Sequence, residues 1–300
     1  MEKQNEKPLY EVSEGIIRQA LDEQWGMSHV AKVLEVKKTV AGRMVFRIDT
    51  EGKVFALKVY APSRANETVR KDIFMLRFLE KLAFPASIVR DTKDGEGYGT
   101  ISGSYAYVSD WIEEENPEST EDTFEKLGRV TGRLHGIKEP YPHVSDFSPA
   151  QEVQKLLVTA RSKGIDQKYV DLLLSIRDVS QLPQGIIHTD IGPHNSRQRS
   201  NGELVVIDWE DAGLGPMIID LGWELEQCLS NESVFETEKA KALLRGYEKH
   251  RKLTEEEKRH AYDAALFFAF LYWMDEQKEF GARRIDWLAT HRNEFEKIFE

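Results

Sequence analysis

Residues 185–220 of the 300-residue chain read Gly185-Ile-Ile-His188-Thr-Asp190-Ile-Gly-Pro-His-Asn195, then a short polar interval, then Leu204-Val-Val-Ile207-Asp208-Trp-Glu-Asp-Ala-Gly-Leu-Gly-Pro216, and end at Asp220. Ile186 and Ile187 bring a buried strand up to His188. Gly192-Pro193 excludes regular structure between Asp190 and Asn195, so both side chains project from one tight loop. Asn201-Gly202 is a strong short hairpin signal, and it turns the strand leaving Asn195 back as Leu204 to Ile207. Asp208, at the end of that buried run, is therefore expected near the loop from which the hairpin started. Two acids and an amide converge.

Phosphoryl transfer uses such a set: one carboxylate accepts a hydroxyl proton, while an Asn and a second carboxylate hold magnesium against the triphosphate. His-x-Asp with Asn five residues after the Asp is also the catalytic-loop spacing of protein kinases, with Asp208 where their metal-binding Asp stands. The full run, His188-Thr-Asp-Ile-Gly-Pro-His-Asn195 followed by Ile207-Asp-Trp-Glu-Asp-Ala-Gly-Leu-Gly-Pro216 and Asp220-Leu221, resembles the aminoglycoside phosphotransferase and choline kinase superfamily. The resemblance implies an α+β, two-lobed protein-kinase-like fold. It would have an N-terminal antiparallel-sheet lobe over 1–112, binding nucleotide, and a mainly helical catalytic and substrate lobe over 113–300. It also implies ATP and Mg as cofactors and a small-molecule hydroxyl as acceptor. Asp190 would be the base, Asn195 and Asp208 the magnesium ligands, and His188 and Asp220 the residues that order the loop. The family usually has Gly where this chain has Thr189. The bland alternative is that His188, Asp190 and Asn195 form a turn network while Asp208 caps a strand.

Composition is compatible with this reading. The chain is 40% hydrophobic and 31% charged, as in soluble globular proteins, and its length suits two lobes. Cys228 is the single cysteine, which excludes an internal disulfide and fits a reducing compartment. The N-terminal residues lack the apolar run of a secretory signal, so a cytoplasmic location is expected. The longest apolar run, Ala264 to Met274, falls short of the about 20 residues needed to span a bilayer, which predicts a buried helix and no membrane partner. A formal net charge of −11 disfavours nucleic acid and suits a cationic substrate.

Ahead of the catalytic segment, Ser13 can cap a helix bearing Ile16, Ile17, Ala20 and Leu21. Strand-like runs follow at Val33 to Lys38, Met44 to Asp49 and Val54 to Tyr60, with turns at Thr39 to Arg43 and Thr50 to Gly52, and they predict an antiparallel meander. The first turn carries only Gly42, a weak version of a phosphate-covering loop. Period two puts Val54, Ala56 and Lys58 on one face, so a lysine shares a face with small apolar residues. By resemblance Ala56 lies against adenine and Lys58 holds the α- and β-phosphates. An exposed lysine whose stem lies along apolar surface is the other reading.

Helical spacing over Asn66 to Leu82 offers Asp72 as the partner of Lys58, with Glu67 as runner-up. Thr100 to Trp111 reads as one strand, and the resemblance makes Ser109, Asp110, Trp111 and Ile112 the hinge that meets the adenine edge. Glu113 to Pro117 ends all periodicity, and a lobe boundary is expected there. Ser119 with Asp122 predicts a capped helix through Ile137, whose His135 is read as structural. Ala150 to Ala160 and Gln167 to Val179 also read as helices.

Eleven residues separate Asp208 from Asp220, which leaves no room for the long activation segment with which a protein kinase presents a polypeptide. The acceptor is therefore expected to be small. Helices are predicted at Met217 to Leu229, Glu236 to Lys249, Glu255 to Lys278 and Arg284 to Phe299. They carry Trp223, Glu224, Tyr272, Trp273, Asp275 and Glu276, a set that suits an amine-bearing acceptor or a helical core. Two other functional classes stand beside the small-molecule kinase: a non-catalytic kinase-like structural protein and a protein kinase.

Overall fold

The computed structural model describes residues 12–38, 43–112, 116–141, 147–230, 234–276 and 279–300. The chain forms two compact units, one of residues 1–114 with 207–210 and the other of 115–206 with 211–300.

The first unit opens with α1 (Glu14–Trp25), whose N-terminus is capped by Ser13 and whose C-terminus is closed by Gly26 in the left-handed region. Strands β1 (Val30–Lys38), β2 (Met44–Thr50) and β3 (Lys53–Val59) form the predicted meander. Helix α2 (Asn66–Lys81) follows, then β4 (Val89–Arg90), β5 (Gly99–Ile101) and β6 (Ser104–Asp110). The sheet order is β1-β2-β3-β6-β4, antiparallel throughout, with β5 paired to β6. The single strand expected over Thr100 to Trp111 is instead the β5–β6 hairpin. Ser102 and Gly103 both take positive φ, the geometry of a two-residue hairpin turn.

Alternation divides the sheet into two faces. Met44, Phe46 and Ile48 stand opposite Val59, Leu57 and Phe55, and with Ala106 and Val108 they bury against Ile17, Leu21 and Trp25 of α1. Ile16 does not join them and is 43% exposed, since it falls off the buried stripe of the helix. The opposite face carries Val45, Ala56, Lys58, Tyr107 and Ser109, in the register Val45↔Lys58↔Tyr107 and Ala56↔Ser109. The turn residues 39–42, including Gly42, lie outside the described residues.

The second unit is mainly helical. It contains α3 (Glu121–His135), α4 (Pro149–Ser162), α5 (Gln167–Leu174), β7 (Gln184–Ile187), β8 (Ser196–Gln198), β9 (Leu204–Val206), β10 (Gly213–Pro216) and α6 (Ile218–Glu226). A two-residue pair, β11 (Leu229–Ser230) and β12 (Val234–Phe235), leads to α7 (Thr237–Tyr247), α8 (Glu255–Glu276), α9 (Glu279–Thr290) and α10 (Arg292–Glu296). The Asn201-Gly202 turn joins β8 to β9, with Gly202 at φ 82°. Strand β7 pairs antiparallel with β10 and carries the chain to His188.

Helices α6 and α8 pack closely at Gly222, where a Cβ would overlap the backbone of Ala264. The predicted Thr254/Glu257 capping box opens α8, with reciprocal bonds of 2.9 Å and 3.1 Å. The apolar run 264–274 lies within this helix, buried except at Leu271 and Tyr272, and no helix among the described residues is long and apolar enough to cross a membrane.

Several helix limits differ from the pattern in the sequence. Helix α6 ends at Glu226 rather than at Leu229, which pairs with Phe235 in β11. The cap of α3 is Thr120, whose hydroxyl accepts from the Thr123 amide, rather than Ser119. Helix α5 stops at Leu174, and the chain beyond it is drawn onto α8 as the Arg177 amide donates to Asp263 at 3.0 Å. The expected helix over Arg284 to Phe299 is two helices broken at His291, whose φ of −121° and ψ of 28° leave the helical region.

Candidate active site

The expected site residues fall into two constellations, one in each unit. In the first, Lys58 is 7% exposed and Asp72 1%, and their Nζ···Oδ2 distance is 3.4 Å. Glu67, the alternative partner, lies exposed in the first turn of α2. Lys58 Nζ also reaches Asp208 Oδ1 at 3.1 Å and Glu210 Oε2 at 3.5 Å. Asp208 and Glu210 belong to this unit because residues 207–210 are anchored there by buried Trp209, edge-on to Phe84 at 5.7 Å. Two further cations complete the cluster. Arg43 donates to Asp208 Oδ1 at 3.1 Å and to Glu210, and Arg64 lies 3.8 Å from Glu210.

The ammonium lies near two rings, with Nζ 5.1 Å from the Tyr60 centroid and 5.8 Å from that of Tyr107, its neighbour across the strands. Tyr60 Oη also donates to Asp72 Oδ2. Burial works against the Lys58 charge, but Tyr107, Asp72, Asp208 and Glu210 outweigh it and hold the ammonium above the ordinary lysine pKa. Burial and the neighbouring Asp72 raise the Tyr60 phenol well above its usual value, so it stays a donor.

On the same face Ala56 stands directly opposite Ser109. The amides of Asp110 and Trp111 are donated to the carbonyls of Ile88 and Val54, at 3.0 and 3.1 Å. The Asp110 carboxylate accepts from Arg90 Nε at 2.7 Å. These two N–H groups are therefore committed within the first unit.

The second constellation is built on the loop after β7. Asp220, fully buried in the first turn of α6, accepts from the backbone amides of His188 at 2.9 Å and Thr189 at 2.7 Å. It also accepts from His135 Nε2 at 3.1 Å, and His135 Nδ1 meets Tyr247 Oη at 2.9 Å. His188 Nδ1 in turn accepts from the Asp190 amide at 3.2 Å. The loop is thus held from behind through its backbone, and Thr189 is forced to φ 70°. This conformation is costly for a β-branched residue and natural for the Gly usual in the resembled family.

At the front of the loop the Asp190 side chain is 47% exposed, yet both of its oxygens are engaged. Asn195 Nδ2 donates to Oδ2 at 2.7 Å, and His194 Nε2 lies 3.0 Å from Oδ1. With its nitrogen so committed, Asn195 presents its amide oxygen on the other side.

Asp190 and His194 line a pocket of about 500 Å³ with Trp223, Glu226, Gln227, Tyr272 and Arg284. The rings of Trp223 and Tyr272 are 6.3 Å apart, and His194 stands edge-on to Trp223. Glu226 and Arg284 form a buried ion pair in the wall, where burial raises the Glu226 pKa against the opposing effect of Arg284. Of the other residues expected around the acceptor, Glu224 and Trp273 are core. Glu224 is fully buried and accepts from Thr131 Oγ1 at 2.7 Å, and burial together with the nearby Asp220 pushes its carboxyl well above the usual range. The side chains of Asp275 and Glu276 lie outside the described residues. A smaller cavity of about 180 Å³, lined by aliphatic residues and the Arg177–Asp263 pair, holds none of the expected site residues.

Several participants escaped the sequence reading. Arg43 and Tyr107 share the Lys58 face by strand register, Glu210 stands two residues after Asp208, and His194 lies one turn from Asp190. Period and spacing carry all four, but only the strand pairing reveals which faces coincide.

Among solved structures, the fold is similar to the amicoumacin kinase hAmiN in complex with AMP-PNP, Ca2+ and Ami (TM-score 0.68, 16% identity, 95% of this chain and 93% of that one). It is also similar to the choline kinase LicA from Streptococcus pneumoniae (TM-score 0.64, 17% identity, 92% of this chain and 97% of that one). The protein-kinase-like α+β fold expected from the catalytic segment is therefore the fold of this chain. In sequence, the chain is 27% identical over 227 residues to the homoserine kinase of Caulobacter vibrioides strain NA1000, covering 71% of each protein. A model of the phosphotransferase enzyme family matches residues 32–262. With that match spanning most of its length, the chain belongs to the phosphotransferase enzyme family.

Proposed function

We propose that the protein transfers the terminal phosphoryl group of ATP, with magnesium, to a hydroxyl of a small amine-bearing molecule. The first unit binds the nucleotide and the second binds the acceptor. The observation that carries this reading is the state of Asp190, whose carboxylate is held by Asn195 and His194 yet half exposed at the wall of a pocket. A positioned and accessible carboxylate is what a general base requires.

Lys58 holds the inner phosphates, and its neighbours keep it cationic at any physiological pH. Asp190 accepts the proton of the acceptor hydroxyl as that oxygen bonds to phosphorus and the bond to ADP breaks. Asn195, through its amide oxygen, and Asp208, through its carboxylate, supply hard oxygen donors that fit magnesium. When bound, magnesium neutralises charge developing on the transferred group. Trp223 and Tyr272 offer ring faces to an ammonium group. Homoserine, the substrate in the name of the Caulobacter relative, is an amino alcohol of this class and heads the acceptors to try.

The test is a coupled assay of ADP release over a panel of hydroxyl compounds with and without amines, alongside calorimetry with ATP and magnesium. Acceptor-dependent release, strongest with amino alcohols, is expected. Absence of nucleotide binding together with absence of release across the panel would remove the proposal.

A further inference from the structure

We infer that Arg43 is a phosphate-binding residue that exchanges carboxylate partners for the terminal phosphate of the nucleotide. The inference rests on the nucleotide reading proposed above. The register Val45↔Lys58 makes Arg43, two residues before Val45, a member of the same sheet face as the lysine, displaced about 7 Å along the strand. The two side chains converge, and both donate to one oxygen, Asp208 Oδ1, at 3.1 Å each.

Arg43, Lys58 and Arg64 face Asp72, Asp208 and Glu210, so these six side chains balance in charge. Asp208 cannot take a divalent cation and keep both of its present partners without placing three positive centres around one carboxylate. One partner has to turn away. Lys58 is the less able to move, since it is buried, bonded to Asp72 and enclosed by Tyr60 and Tyr107. Arg43 stands just before β2, its side chain 18% exposed against 8% for Lys58, on a longer stem.

Its new partner follows from chemistry. The guanidinium fork matches phosphate oxygens, and a divalent cation held at Asp208 would arrive together with the phosphates of the nucleotide, which offer Arg43 a new anion. Where Lys58 meets the inner phosphates, Arg43, leaning toward Asp208 and Glu210, meets the outermost one. In a chain whose β1–β2 turn has one glycine, a side chain would supply what backbone amides supply in Gly-rich loops.

The test compares wild type with Arg43→Ala and Arg43→Lys by calorimetry with Mg·ATP and Mg·ADP, and by electron paramagnetic resonance with Mn2+ alone. Circular dichroism melting verifies that each variant is folded. Arg43→Ala is expected to lose roughly 10- to 100-fold in ATP affinity while ADP affinity changes less than about threefold, with Arg43→Lys between, because a charged hydrogen-bond pair to one phosphate is lost. Mn2+ alone is expected to bind the Ala variant at least as tightly as wild type, since Asp208 and Glu210 lose a competing cation. Equal affinities in variant and wild type, equal losses for ATP and ADP, or weaker Mn2+ binding in the variant each overturn the inference. If the wild type binds no nucleotide, the proposed function itself fails; if it binds and only the variants disagree, the fault is confined to Arg43.

Discussion

Two carboxylate clusters, one from each unit, are held by different means. In the first, Asp72 and Asp208 face cations, with Lys58 between them and Arg43 beside it. In the second, Asp220 is as buried as Asp72 but is matched by dipoles: two backbone amides, with His135 held behind by Tyr247. Glu224, one turn along the same helix, has a single hydroxyl partner and an Oε2 with none. A cluster of full charges can be rearranged by a charged ligand, because each ion can trade one partner for another. A carboxylate bonded to backbone amides fixes the chain itself, and the loop bearing Asp190 is held in this way while the Asp190 carboxylate stays half exposed.

The contrast is broken most severely at the base. Asp190→Asn keeps the contact with Asn195 but cannot take a proton, so turnover should fall roughly 100- to 10,000-fold while nucleotide affinity, set in the other unit, is retained. Unchanged turnover with a verified acceptor would reduce the loop to scaffold. In the ion cluster the effect belongs to binding. Lys58→Ala should weaken Mg·ATP binding roughly 10- to 100-fold whatever the acceptor, as expected for loss of a charged hydrogen-bond partner. Asp72→Ala should add little to Lys58→Ala, because partners in contact act as one unit. Additive losses in that double-mutant cycle would mean that Asp72 does not act through the lysine.

Glu224 sharpens the comparison through pH. Its folded pKa is raised by burial first and by Asp220 second, so its contribution to stability is complete below the ordinary carboxyl value and declines as pH rises toward the folded pKa. Glu224→Gln cannot ionise and escapes that decline. Its stability advantage over wild type should therefore grow between pH 5 and pH 8, by at most about 1.4 kcal/mol per pH unit, in denaturant titrations. An advantage independent of pH would mean that the surroundings of Glu224 accommodate the charge. The smallest effect is expected at Thr189. Replacement by Gly relieves the left-handed backbone but loosens the unfolded chain, for a net gain below about 1 kcal/mol. A clear loss of stability would show that the Thr side chain contributes packing that outweighs the strain.

Much of this was legible in one dimension because it depends on local periods. Alternation in 54–58 put Lys58 beside Ala56, the Asn201-Gly202 turn returned β9 along β8, and the short interval from Asp208 to Asp220 excluded a protein-presenting segment. The pattern in 66–82 left Asp72 and Glu67 both open, since helical spacing alone does not say which turn faces the sheet; the structure buries Asp72 and exposes Glu67. Thr100 to Trp111 looked continuous because Ser102 carries no turn signal as strong as the Asn201-Gly202 pair.

The sequence by itself determined the kinase-like fold, the identity of the loop acids and the amide, and the strand that carries the lysine, since spacing and turn chemistry act over neighbours along the chain. Only the tertiary structure decided that Arg43 and Lys58 share one oxygen of Asp208, that Asp72 rather than Glu67 is the acid bonded to the lysine, and that His135 and Tyr247 stand behind Asp220. Those contacts join residues from 14 to 165 positions apart. Their partners are selected by which faces strand register and helix packing bring together, and that choice is made only when the chain has closed on itself.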